Sequence, residues 1–383
     1  VELLTSLFTT DELQILESKV PSDAVLADPT VHRGIHAKQS PGIIDFTGER
    51  GRHAHFFGRQ DVLRDLDEWL RGRDSGWLLL TGSPGLGKSA IFNEWLARRE
   101  RVGLSTAFHF IRRGIQNWAE PAVVRASLAA QIERDFPEQR DPDADLAQRL
   151  DQLLHRVSSV LARRGQELVL LVDGLDEAAT LADRDNPIPR IFPHELPRRV
   201  FVYAASRPLY PHLDWFTRRT GALHTLDLDG RPSNVETVRA FWAALRGTLS
   251  PPPADDLVRA AVERSEGNLL HAVKLYQLWS APGVGRRIDA IPHGFAGMLR
   301  ELWERLGNLS RDQKKTARQG LALLCAARQA LPLSVVDELL DWDEGEARDE
   351  LLPFVGELLQ EEHWHARPAY RPFHEGVREL TSA

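Results

Sequence analysis

Gly82-Ser83-Pro84-Gly85-Leu86-Gly87-Lys88-Ser89 has the residue types and spacing of a phosphate-binding loop, G-x-x-x-x-G-K-[ST]. Its glycines let backbone N–H groups converge without Cβ clashes. Those amides, with the positive end of the following helix from Ala90, cradle the α- and β-phosphates of a nucleotide. Lys88 reaches toward the β- and γ-phosphates, and the Ser89 hydroxyl is a ligand for Mg²⁺.

A second constellation is Asp173-Gly174-Leu175-Asp176-Glu177, which follows the run Gln166-Glu167-Leu168-Val169-Leu170-Leu171-Val172. An apolar strand that ends in Asp beside the loop's own strand brings a carboxylate to the metal. Asp173 is the metal-side acid, and Asp176 and Glu177 are candidates to orient or activate water on the γ-phosphate. The plain alternative is an Asp-rich turn after a core strand. A third candidate is Arg207 in Ser206-Arg207-Pro208, after the strand-like Arg199–Ala205. Its cation would meet charge developing on the γ-phosphate; a surface arginine after a strand is the alternative.

These residues need a scaffold that carries them to one edge. Gly76–Thr81 reads as a buried strand and Ala90–Arg98 as a helix, which is the context the loop requires. Ser105–Ile111, Gln166–Val172, Arg199–Ala205 and His224–Leu228 read as further strands. Asp61–Arg71, Ala122–Phe136 and Asp143–Arg164 read as helices. Strands alternating with helices predict an α/β fold, a doubly wound parallel sheet with nucleotide at the carboxyl ends of its strands.

From Ser233 the pattern is helical. Ser233-Asn234-Val235-Glu236 predicts a capping box for a helix to Arg246, followed by helices over Asp255–Ser265 and Asn268–Trp279. Ala281-Pro282-Gly283 reads as a linker. Beyond it, helices are expected over Gly294–Leu306, from Ser310 through Arg328, over Ser334–Trp342 and over Glu344–Glu361. A small hairpin at His363–Arg371 and a last helix from Pro372 complete a winged-helix pattern. The expected domains are 1–50 (a short helix after Thr9 and a linker), 51–230 (nucleotide-binding), 231–282 (helical) and 283–383 (winged-helix).

The 383 residues, 42% hydrophobic and 27% charged, are those of an ordinary soluble globular protein, with ample core for several domains. A net charge of −7 gives no global attraction for nucleic acid or an anionic membrane. The helices meant for a winged helix are rich in acids, among them Asp337, Glu338, Asp341 and Glu344, whereas a DNA-reading face is basic. No apolar run approaches the ~18 residues of a membrane span. Cys325, the sole cysteine, lies in an apolar helical stretch and reads as a core thiol. His32, His36, His53 and His55 have no metal-site spacing and read as solvated; alternating His363 and His365 read as strand residues.

Taken together, the motifs resemble the STAND class of signal-transducing P-loop NTPases, and within it the NACHT type, over about residues 56 to 383. The resemblance rests on Phe57-Gly58-Arg59, which is similar to a linker motif near the adenine, and on Gly82, Gly87, Lys88 and Ser89. It rests also on Ala107–Phe110 with Arg112-Arg113, on the acidic motif at Asp173–Glu177, and on Ser206-Arg207-Pro208. Glu266-Gly267-Asn268-Leu269-Leu270 resembles the Gly-Asn-Pro-Leu motif of the family's helical domain, with Leu269 where proline is usual. Phe373-His374 resembles the winged-helix histidine that contacts the β-phosphate of ADP. The resemblance implies an ATP/ADP switch with Mg²⁺: ADP holds it closed, ATP opens it, and the open form self-assembles in the cytoplasm, in defence or cell-death signalling. Effector and sensor modules of such proteins are expected on other chains or in a longer form. A turnover ATPase of the AAA+ type and a non-hydrolysing adaptor are the alternatives. The absence of an Asn-Lys-x-Asp motif speaks against guanine.

Overall fold

The computed structural model describes residues 43–51, 53, 56–112, 117–145, 148–180, 185–218, 222–280, 286–327, 330–364, 367–372 and 377. The helix expected after Thr9, the histidines 32, 36, 55 and 365, and Phe373-His374 lie outside these residues. The chain divides into two compact units, one of residues 40–295 and another that includes residues 296–383.

In the first unit a short helix α1 (Thr47–Gly51) and α2 (Gln60–Leu70) precede β1 (Gly76–Thr81). Then come α3 (Lys88–Arg101), β2 (Thr106–Phe110), α4 (Pro121–Asp135), α5 (Arg149–Arg164) and β3 (Leu168–Asp173). β4 (Val200–Ser206) and β5 (Leu223–Asp227) complete a five-stranded parallel sheet of order β2-β3-β4-β1-β5. The inner strands β1, β3 and β4 are buried along their whole length because both faces are covered, whereas β5 at the sheet edge is largely polar and partly exposed. Leu168, Leu170 and Val172 face a core built with α4 and α5; Val169 and Leu171 alternate into a second core with α2 and α3. Each buried leucine contributes roughly 1.5–3 kcal/mol.

The acidic strand β3 does not lie beside β1, because β4 runs between them. And α5 begins at Arg149 rather than Asp143, since the Asp141 side chain accepts from the Asp143 N–H at 3.1 Å and forms an Asx turn in place of a helical one.

Three helices follow in the same unit: α6 (Ser233–Leu245), α7 (Asp255–Arg264) and α8 (Leu269–Ser280). They share a core of Val238, Phe241, Trp242, Ala261, Leu275 and Trp279. The box expected at Ser233 does not cap α6. Pro232 holds the N-cap position, and no side chain caps the helix.

The second unit contains α9 (Gly294–Gly307) from Ala296 onward, α10 (Arg311–Ala326) and α11 (Leu333–Leu340). Its three-stranded antiparallel sheet has the order β6 (Leu331–Pro332), β8 (Arg367–Pro372), β7 (Leu359–Trp364). Ser310 and Gln313 form a complete capping box on α10, and Cys325 is buried within that helix. The helix expected over Glu344–Glu361 is broken. A π turn at Ala347–Leu351 and a single α turn at Leu352–Val355 give way to β7 at Leu359, because Pro353 has no N–H and Gly356 follows.

Candidate functional site

Because all five strands run parallel, their carboxyl ends share one edge. There Thr81 pairs with Ser206 and Asp227, and Phe110 with Asp173. After Thr81 the chain turns through the glycine-rich loop into α3. Gly85 (φ +82°) and Gly87 (φ +87°) adopt left-handed backbone that other residues rarely take. The Lys88 ammonium bonds back to the Gly82 carbonyl and to the Ser83 carbonyl at 3.3 Å, which folds the loop around it. Burial lowers the Lys88 pKa, against the opposing pull of Asp176 and Asp173.

Ser89 sits in the first turn of α3, which crosses over β3. Its hydroxyl donates to Asp173 Oδ2 at 2.6 Å. Two oxygens thus converge although their strands are not neighbours. Hard oxygen donors of this kind suit Mg²⁺, and Ser89 and Asp173 are the residues that would hold it. A guanidinium shares the spot. Arg112, just past β2, donates from Nη2 to Asp173 Oδ2 at 2.9 Å and to Ser89 Oγ at 3.1 Å. Glu49 of α1 lies 2.7 Å from the same Nη2 and accepts from Nε at 2.8 Å; Glu177 is 3.6 Å from Nη1. Burial alone disfavours a charged Arg112. The Asp173, Glu49 and Glu177 carboxylates outweigh it, so the guanidinium is held above its ordinary value.

Asp176 and Arg207 face each other. Arg207 Nε lies 3.0 Å from Asp176 Oδ2, and the Arg207 N–H donates to Oδ1 at 3.1 Å. Asp176 also acts electrostatically on Lys88, so Lys88, Ser89, Asp173, Asp176, Glu177 and Arg207 form one cluster.

The other side of the loop is held by residues near the helical segment. Asn268 Nδ2 donates to the Pro84 carbonyl at 2.8 Å, and the Leu270 N–H to the Gly85 carbonyl at 3.3 Å. A Cβ on Gly85 would meet Asn268 Oδ1 at 2.5 Å, so glycine is required for this approach. Arg59, at φ 61°, is buried; it donates to the Leu86 carbonyl at 2.8 Å and to Asn234. Burial pulls it down to about 10, still charged at neutral pH. Gly58 packs against Thr237 of α6. Phe57 and Leu269 pack into the core of the helical segment, with the Phe57 ring against Phe241. On the loop's flank, Ser83 N–H donates to Asp229 at 3.0 Å. Ala90, in the first turn of α3, is partly exposed beside Ser89.

Glu49, Arg112, Asn234, Asn268 and Asp229 belong to this site and were not singled out as site residues from the sequence. Arg112 and Asp229 carry the strand-end signal that marks Arg207, and Asn268 adjoins the glycine of the helical motif. Glu49 has no such signal. His53 lies 3.9 Å from Glu49, and among the described residues no group of three or more His, Cys, Asp or Glu forms a metal site. Nor is any described helix long and apolar enough to cross a membrane.

Parallel sheet, glycine-rich loop and edge cluster together make a P-loop NTPase-like fold. Residues 55–186 match the family model of an AAA ATPase domain. Among curated proteins, mouse Nephrocystin-3 is 24% identical over 102 residues, which span 26% of this chain and 8% of that protein. Similar solved structures include Cdc6p of Pyrobaculum aerophilum (13% identical, TM-score 0.38), covering 85% of this chain and 92% of that one. Orc1 of Aeropyrum pernix in complex with DNA is 16% identical, with a TM-score of 0.38 over 86% and 92% of the two chains. A RuvB mutant of Thermotoga maritima is 12% identical, with a TM-score of 0.34 over 86% and 97%.

Proposed function

We propose that this chain is an ATP/ADP-operated switch of the STAND type that hydrolyses ATP slowly and self-assembles in its ATP-bound form. The observation that carries the reading is the grip on the phosphate loop from the helical segment and from Arg59, which itself bonds Asn234 of that segment. Asn268, Leu270 and Arg59 all donate to carbonyls of that loop, from Pro84 to Leu86. A ligand that changes the loop changes these bonds, and a ligand moves a two-state element only through such differential contacts.

In this reading Lys88 and the loop amides bind the phosphates. Mg²⁺ on Ser89 and Asp173 would neutralise charge on the β- and γ-phosphates. Asp176 or Glu177 orients the water that attacks the γ-phosphorus as the bond to ADP breaks. Asp176 is already paired with Arg207, and Glu177 faces Arg112, so neither is poised as a strong base and turnover is slow. Phe57, Gly58, Arg59 and Leu269 border the adenine. Residues 231–282 act as the helical domain and 283–383 as a winged-helix domain whose His374 contacts ADP in the closed state. The setting is cytoplasmic, with effector and sensor on other chains or a longer form, in defence or cell-death signalling.

The match of residues 55–186 to an AAA ATPase domain favours a second reading, a turnover ATPase acting on a polymer. Nucleotide extracted from fresh protein and light scattering in ADP and in ATP separate the two. Stoichiometric ADP in a small species that grows in ATP supports the switch. An empty protein that turns over ATP briskly, faster still with duplex DNA, and keeps its size would replace it by the second reading.

A further inference from the structure

We infer that Arg112 is a built-in competitor for the divalent cation, and that Glu49 and Glu177 are the carboxylates that receive its guanidinium when the metal enters. The inference rests on the nucleotide-binding reading of the loop and goes beyond it, to how its metal is admitted.

The argument is one of space and charge. Arg112 Nη2 lies 2.9 Å from Asp173 Oδ2 and 3.1 Å from Ser89 Oγ, the same two oxygens that suit Mg²⁺. Mg²⁺ binds oxygen at about 2.0–2.1 Å and demands octahedral room. A metal ion and the guanidinium cannot share those atoms, so one excludes the other. Asp173 is 2% exposed and Glu49 5% exposed, and buried carboxylates need a cation. Arg112 supplies it to both. The guanidinium already touches Glu49 through Nε at 2.8 Å and through the same Nη2 at 2.7 Å, with Glu177 at 3.6 Å from Nη1. When metal takes Asp173, these two carboxylates are the partners left to Arg112.

Glu49 is not part of the sheet. It lies on α1, ahead of the nucleotide core, and that segment is seated by Phe46 among Phe108, His109, Phe110 and Trp118. Whatever lifts this segment takes away one of the receiving carboxylates and leaves Arg112 on the metal ligands. The segment before the nucleotide core therefore controls metal entry.

The test is the ratio of ADP affinities with Mg²⁺ and with EDTA, read by titration calorimetry on the full chain, with thermal unfolding as the folding control. The parent shows a small ratio because Mg²⁺ must displace Arg112. In Arg112→Ala the ratio rises about tenfold or more, the scale of a lost charged hydrogen bond. Arg112→Lys, which keeps a cation without the fork, falls between and serves if the alanine variant does not fold. Glu49→Gln moves the ratio the opposite way, below the parent. A merely structural role would lower the melting temperature of these variants without opposite shifts. Arg112 variants that bind ADP with the parent's ratio overturn the inference while leaving the nucleotide reading intact. A parent that binds neither ADP nor ATP under either condition overturns both.

Discussion

The Ser89 hydroxyl donates to Asp173 Oδ2 across 2.6 Å, although the strands that lead to these residues are separated by β4. The contact exists because Ser89 is carried by the first turn of α3, and that helix crosses the sheet toward β3. The intervening strand delivers Ser206 and Arg207 into the gap, where Arg207 pairs with Asp176. Phosphate loop, metal-side acid and paired arginine thus meet at one edge by strand order and helix direction together.

Lys88→Ala should weaken nucleotide binding without unfolding the chain. Burial works against the ammonium, so its loss costs little stability. ATP affinity by calorimetry should fall by about tenfold to a hundredfold, the value of one or two charged hydrogen bonds. Unchanged affinity would remove the loop from the phosphate site.

Gly85 and Gly87 should respond differently to alanine. Both are left-handed, which costs a side chain about 1–2 kcal/mol. At Gly87 a Cβ meets nothing within 4 Å, whereas at Gly85 it meets Asn268 Oδ1 at 2.5 Å and Leu270 Cβ at 2.9 Å. Gly85→Ala should therefore be the costlier by about 1 kcal/mol or more in denaturant unfolding. Adding Asn268→Ala should relieve part of that excess, a less-than-additive double mutant. Equal costs at the two glycines would mean that Asn268 does not press on the loop.

Acid should weaken the first unit before its carboxylates titrate. His109 and His271 are buried, and burial lowers each to about 4, from an ordinary value near 6.5. A depressed histidine is neutral when folded, so the unfolded chain binds more protons between those two pH values. Stability contributed by each group is full above about 6.5, is lost as pH falls toward 4, and amounts to at most about 3 kcal/mol. Melting temperature should drop over this window, and His109→Gln, which can still donate to the Trp118 carbonyl, should flatten the drop. A variant with the parent's full pH slope would rule out His109 as a source.

Ser310→Ala should destabilise α10. Its hydroxyl accepts from the Gln313 N–H at 3.3 Å, and the Gln313 side chain accepts from the Ser310 N–H at 3.1 Å. Losing the first bond costs about 1 kcal/mol. Hydrogen exchange at the start of α10 should rise about fivefold, with no change at the start of α3. Unaltered exchange at Gln313 would show that the box contributes nothing.

The amino-acid sequence by itself determined the local elements and the loop. The G-x-x-x-x-G-K-S spacing, the doubly buried apolar runs and the punctuating glycines act within a few residues, so they are readable without the fold. Ser89, Asp173, Asp176, Glu177 and Arg207 were legible for that reason, as residues at strand ends or in the loop. Their partners were decided only by the tertiary structure. Strand order put β4 between β1 and β3, and packing brought Asn268 onto Pro84, and Glu49 and Arg112 onto Asp173. Those pairs are separated by 61 residues for Arg112–Asp173 and 184 for Asn268–Pro84. No local spacing encodes such a contact, because it follows from where whole helices and strands come to rest. The helix expected over Glu344–Glu361 failed for the same reason: that the chain becomes strand β7 at Leu359 depended on β8 being there to pair with it.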